Sequence, residues 1–118
     1  MKTSYFFSSK LTENDKLVSI AGLSPPWFRK KFPNMRSYDP LKPPKKLVFD
    51  YKDGLIPEEE YVRVYNEILS KLDPERVYNI LKDSILLCWE TPDKFCHRKL
   101  VAEWIKEKLE IEVEELWD

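Results

Sequence analysis

Cysteine is scarce in this chain: two residues in 118, alongside a single histidine. Two cysteines are too few for the disulfide framework of a small secreted domain. Neither sign of charge dominates. Twenty basic residues stand against 21 acidic ones for a net of −1, which excludes the uniformly basic composition of a histone-like or ribosomal protein and leaves local charge to carry any electrostatic argument. Long apolar runs are lacking too. The longest, Ile85 to Trp89, falls far short of the roughly 20 residues that cross a bilayer, so no membrane segment is expected. The start, MKTSYFF, lacks the apolar run and small-residue cleavage site of a signal peptide, and a reducing cytoplasm is the expected location. There is no internal repeat and no low-complexity tract. What is present is core material, 42% hydrophobic and 14% aromatic residues, enough to bury roughly two-thirds of the unfolded surface at this length. One domain over residues 1–118 is expected.

Tyr5 to Ser9 and Leu17 to Ala21 are short apolar runs that suit strands of a sheet covered on both faces. Six of the nine prolines (Pro25, Pro26, Pro33, Pro40, Pro43 and Pro44) crowd residues 25–46, where regular hydrogen bonding is hard to sustain, so that segment reads as a long Pro-rich basic loop. Leu47 to Tyr51 reads as a third strand before the turn pair Asp53-Gly54. Pro57 followed by three glutamates starts a helix, with Tyr61, Val64, Tyr65, Ile68, Leu69 and Leu72 as its apolar stripe. Asp73-Pro74 starts a shorter one with Val77, Ile80 and Leu81 inward. Ser84 to Trp89 then reads as a central strand. Thr91-Pro92 or Asp93 begins a last helix with Leu100, Val101, Trp104, Ile105 and Leu109 buried. Ile111, Val113 and Leu116 suit an edge strand. Strands alternating with helices predict an α/β domain, a small and largely parallel sheet flanked by helices.

The two cysteines and the histidine fall within eleven residues, in Cys88-Trp-Glu90-Thr-Pro-Asp-Lys-Phe-Cys96-His97-Arg98. The stretch runs from the end of the predicted central strand into a helix N-terminus, where ligands bind in open α/β sheets. Free backbone N–H groups and the helix dipole favour an anion there and lower a thiol's pKa. Lys94, His97 and Arg98 at that positive end are locally unfavourable, and a bound phosphate or carboxylate would resolve the conflict. Each residue also has a plainer reading: Cys88 as a small core residue, His97 as a satisfied histidine tying the loop, Arg98 as the partner of Glu90 or Asp93. A Cys-x7-Cys-His spacing is no standard zinc pattern and would need a fourth ligand such as Glu90, so no metal and no cofactor are expected. A Cys88–Cys96 disulfide is open in principle, but a reducing compartment argues against it.

At Leu87, Cys88, Glu90, Cys96, His97 and Arg98 the chain resembles the proteins grouped as "domain of unknown function 488", whose signature is an apolar strand ending in Leu-Cys-x-Glu, a short loop, then Cys-His-Arg opening a helix. Weaker similarity covers Tyr5 to Ser9, Ser24-Pro-Pro-Trp27 and the Tyr61, Tyr65, Leu69 helix. Longer members carry Asp-Val-Arg and then a Pro and a Ser after the second strand, where this chain has Ile20-Ala-Gly-Leu-Ser-Pro-Pro26. The resemblance implies an α/β fold and a preserved polar site without assigning a reaction.

Arg29, Lys30, Lys31, Arg36, Lys42, Lys45 and Lys46 stand against Asp39 alone, a local net of +6, with Trp27, Phe28, Phe32 and Tyr38 interleaved. Cations attract phosphate and aromatics stack on bases. The segment also reads as a solvated loop, or as a partner for the acidic stretch from Glu103 to Asp118. The leading expectation is an anion- or nucleotide-binding site in which Arg98 holds the anion, Cys96 or Glu90 acts as nucleophile or base, and His97 moves a proton. Cys88 backs it, and the basic loop, with Trp27 and Lys31, covers it. The alternative is a non-catalytic nucleic-acid-binding module built on residues 27–46. The expected partner is accordingly an anionic small molecule, a nucleotide or nucleic acid.

Overall fold

Ser84–Cys88 carries no charge, is buried throughout, and forms the central strand of a parallel sheet. A computed structural model describes residues 1–116. β1 (Lys2–Tyr5), β2 (Lys16–Ser19), β3 (Arg36–Ser37), β4 (Ser84–Cys88) and β5 (Glu114–Glu115) lie in the order β3-β2-β4-β1-β5, every pairing parallel. The helices are α1 (Pro26–Lys31), α2 (Lys45–Lys52), α3 (Glu58–Ser70), α4 (Pro74–Leu81) and α5 (His97–Leu109). Successive strand side chains point to opposite faces. Leu17, Ile85 and Leu87 therefore pack with Phe28 and Phe32, while Val18 and Leu86 pack with Tyr65, Leu69, Val101 and Ile105. Such two-sided burial is why these strands read as apolar runs. The chain is an α/β domain, as its pattern predicts. Among the described residues no helix is long and apolar enough to cross a membrane.

The first strand lies earlier than the Tyr5 to Ser9 run. It is Lys2–Tyr5, whose buried Thr3 and Ser4 are polar. These hydroxyls are tolerated because the neighbouring segment at β5 supplies acceptors, Glu115 Oε1 for Thr3 at 2.5 Å and the Leu116 carbonyl for Ser4 at 3.5 Å. The proline-rich segment is not one loop. Pro25 caps α1 and Pro26 opens it, and a 3-10 turn spans Asp39–Leu41. Proline interrupts a helix from within, but in the first turn its missing N–H costs nothing. For the same reason Leu47 to Tyr51 belongs to a helix, α2, launched from Pro44. Ile80 does not face inward; it is 53% exposed, and Val77 and Leu81 alone carry the buried face of α4. The last helix starts at His97, since Thr91 to Lys94 closes a turn through Lys94 N–H to the Thr91 carbonyl. The acidic stretch does not dock the basic segment among the described residues. β3 and β5 occupy opposite edges of the sheet, and Glu112, Glu114 and Glu115 pair with Lys106, Lys2 and Arg98.

Tyr65 ties the 3-10 turn to α3: its ring is wholly buried and its hydroxyl donates to the Leu41 carbonyl at 2.6 Å. Tyr65→Phe removes that donor from a dry site. It is expected to lower the unfolding free energy by about 1 to 3 kcal/mol, read as a lower urea midpoint at unchanged m-value.

Candidate active site

Three chain segments meet at the carboxyl edge of the sheet. β4 ends at Cys88, the turn Thr91 to Lys94 brings the chain back, and Cys96 caps the N-terminus of α5 so that His97 is its first residue. The carbonyl of Ile20, just past β2, completes the site. His97 Nε2 lies 2.7 Å from this oxygen. A carbonyl can only accept, so Nε2 carries the proton and Nδ1 presents a lone pair. That lone pair faces Cys96 Sγ at 3.7 Å. The ring is buried, and burial, opposed by the Ile20 bond and assisted by the Arg98 charge, lowers its pKa to about 4. The imidazole is neutral at neutral pH.

Cys88 and Cys96 are joined as a disulfide, with Cα atoms 7.4 Å apart, against the sequence-based argument from a reducing compartment. A disulfide sulfur is not a thiolate, so any nucleophilic role for Cys96 requires reduction. Cys88 Sγ, Cys96 Sγ and His97 Nδ1 are donors of metal-ligating type and lie within 4.8 Å of one another. Glu90 is not among them, so the fourth ligand the sequence reading required is not supplied by that residue.

Above the cluster lies a pocket of about 600 Å³ whose lining includes Cys88, Cys96 and His97. Its walls are aromatic: Phe95 meets Tyr51 and Tyr61 edge to face at 5.6 and 5.2 Å, with Phe49 and Trp89 beside them. Lys45, Lys52 and Lys94 are set into the lining against Glu58 and Glu90. Cations outnumber carboxylates there.

Arg98 is in contact with the cluster, but from beneath. It is fully buried; Nε and Nη2 donate to the Glu115 carboxylate at 2.8–3.2 Å, and Nη1 donates to Cys88 Sγ at 2.9 Å. Burial alone would raise the Glu115 pKa, but the bonds from Arg98 and Thr3 outweigh it and hold the carboxyl below its ordinary value. Arg98 does not line the pocket. Its partner is Glu115 rather than Glu90 or Asp93, and the cations in the pocket lining are lysines. Trp27 and Lys31 also lie outside the pocket. Trp27 is exposed on α1, its ring 5.2 Å from Phe7, and Lys31 sits over the Phe32 ring beside a small cavity with Glu13 and Asp15.

No model of a known protein family, no curated protein and no solved structure matches this chain. Sequence reasoning missed the aromatic walls, because Tyr61 reads as ordinary helix core and Phe95 as an unremarked residue near the expected start of the last helix. Lys45 belongs to the basic segment of residues 29–46. Nothing in the sequence marks the Ile20 carbonyl.

Proposed function

We propose that the pocket is the active site of an enzyme acting on a small anionic molecule with a flat, apolar body, such as a nucleotide, and that the reduced Cys96 is its nucleophile with His97 Nδ1 as proton acceptor. One observation carries the reading. The only histidine and both cysteines of the chain meet at a pocket walled by aromatics and set with lysines. Aromatic rings would sandwich a base or other ring, lysines would attract its charge, and Cys96 at the positive end of a 13-residue helix is placed for nucleophilic attack. Glu90, also in the lining, stands as the second base. The likeness of these residues to the Leu-Cys-x-Glu and Cys-His-Arg signature supports a preserved site and leaves its reaction open.

After reduction by a phosphine, iodoacetamide at neutral pH is expected to modify Cys96 faster than Cys88, whose sulfur is engaged by Arg98. Nucleoside monophosphates are expected to slow that modification, and Lys45→Ala combined with Lys52→Ala to relieve the slowing. Equal or slower modification of Cys96 removes it as nucleophile. A nucleic-acid-binding module remains the rival, favoured by the exposed Phe7 and Trp27 rings beside Arg29, Lys30 and Lys31. An oligonucleotide that binds without slowing the modification decides for it.

A further inference from the structure

The backbone sets the Cα atoms of Cys88 and Cys96 7.4 Å apart, wider than the roughly 4.4–6.8 Å usual for a disulfide. Both sulfurs nevertheless converge on the same point, and the His97 lone pair is turned to it. The 3.7 Å between Cys96 Sγ and His97 Nδ1 is close to the separation of about 3.6 Å between a sulfur at 2.3 Å and a nitrogen at 2.0–2.1 Å around one tetrahedral zinc ion. Outer contacts are in place as well. Nε2–H to the Ile20 carbonyl fixes the tautomer that leaves Nδ1 free to ligate, and Arg98 Nη1 donates to Cys88 Sγ. Bonds of this kind orient and tune metal ligands. The charges match: two thiolates neutralise a divalent ion, the imidazole is neutral, and the Arg98 charge is already met by Glu115.

We infer that in the reduced chain Cys88 Sγ, Cys96 Sγ and His97 Nδ1 hold one thiophilic divalent ion of the zinc type, with its fourth coordination position open to the pocket. The donor set decides the class of ion, since sulfur and imidazole select zinc or cobalt over magnesium and calcium. Three protein ligands and one open position are the arrangement of a catalytic rather than a structural zinc. The inference rests on the pocket being the working site, and it changes what an anionic ligand meets there: the ion in the loaded chain, the Cys96 thiolate in the metal-free one. The disulfide is the alternative occupant of the same space. A phosphine opens it with one water: phosphorus is oxidised and takes the oxygen, the S–S bond is cleaved, and the two thiols take the two protons. Ion binding then releases both protons to solvent.

Cobalt(II) titration of the phosphine-reduced full chain is the test. One equivalent is expected to produce sulfur-to-cobalt charge-transfer absorption and the intense visible bands of tetrahedral cobalt, both removed by added zinc, and no such bands in the oxidised chain. Cys88→Ser and Cys96→Ser are each expected to lose the bands, and His97→Gln to weaken binding at least tenfold, each variant first shown to be folded by circular dichroism. Should Cys88→Ser fail to fold, Cys96→Ser with His97→Gln still decides the matter. Absence of the bands in the reduced wild-type chain, or bands unchanged in folded Cys96→Ser, overturns the metal site. If iodoacetamide still prefers Cys96 in that event, the nucleophile reading stands without the metal. Slowing of that modification by zinc in the wild type, lost in His97→Gln, supports the site independently of any activity.

Discussion

Arg98→Met is expected to lower the unfolding free energy by about 3 kcal/mol, the low end of the loss when one member of a buried ion pair is removed. The guanidinium is fully buried and makes three contacts with the Glu115 carboxylate and one with Cys88 Sγ. Methionine fills much of the same space, so what is lost is charge and hydrogen bonding rather than packing. The low end applies because the Glu115 side chain is 17% exposed and water relieves part of its isolation. Arg98→Lys is expected to recover little, since a single ammonium cannot reproduce a planar fork that engages a carboxylate and a sulfur together. Arg98→Met combined with Glu115→Gln is expected to cost less than Arg98→Met alone, because the stranded charge is gone. The lowered Glu115 pKa adds a pH signature. The pair contributes fully above the ordinary carboxylate value and is lost as pH falls through the lowered one, so wild type is expected to lose more stability than Arg98→Met over that range. Urea denaturation at neutral and acid pH measures both. A loss below about 1 kcal/mol, the worth of an exposed pair, defeats the buried-pair account.

The parts of this protein legible in its sequence are those that local chemistry decides. Pro57 with Glu58, Glu59 and Glu60 starts α3, and Asp73 caps α4 by accepting from Glu75 N–H at 3.1 Å. Apolar Ile85 to Cys88, too short for a helix and uncharged, reads as the central strand that it forms. Other parts hinge on a partner far along the chain. Thr3 and Ser4 make a poor strand on their own merits and a good one beside Glu115 and Leu116. Arg98 invites an anion when read beside Lys94 and His97 at a helix N-terminus, because residue 115 is remote until β5 pairs with β1. The proline-rich segment misleads for a different reason. Proline is ambiguous between breaker and starter, and only the position within the turn separates Pro26, which opens α1, from a residue that ends one. The clustering of Cys88, Cys96 and His97 was visible as spacing. What turned it into a site was the Ile20 carbonyl, a backbone atom that no side-chain pattern encodes.

Acidification from pH 7 to below 4 is expected to remove roughly 3 kcal/mol of stability through His97 alone, the linkage equivalent of a pKa lowered from 6.5 to about 4. The cause is burial: an imidazolium at this position would sit in a dry site next to the Arg98 charge. The unfolded chain takes up this proton near pH 6.5, and the folded chain resists it until near 4. Between those values the unfolded state binds more protons, so stability is complete above about pH 6.5 and declines toward 4, by at most about 1.4 kcal/mol per pH unit. Glu115 works in the same direction, but only below the ordinary carboxylate value, so the interval from about 6.5 to 5 excludes it, and comparison with His97→Gln removes the contribution of the Met1 ammonium, whose pKa burial also lowers. His97→Gln retains an N–H that can meet the Ile20 carbonyl and has nothing to titrate, and it is expected to flatten the profile over that interval. Urea midpoints should be taken on the oxidised chain with a chelator present, so that neither thiols nor metal ions enter. A wild-type profile already flat from pH 6.5 to 5, or an equal slope in His97→Gln, shows that the ring is not held neutral by burial. A neutral ring is also what keeps the Nδ1 lone pair turned toward Cys96 available at neutral pH, so this slope measures, by stability alone, the protonation state that the chemistry of the pocket depends on.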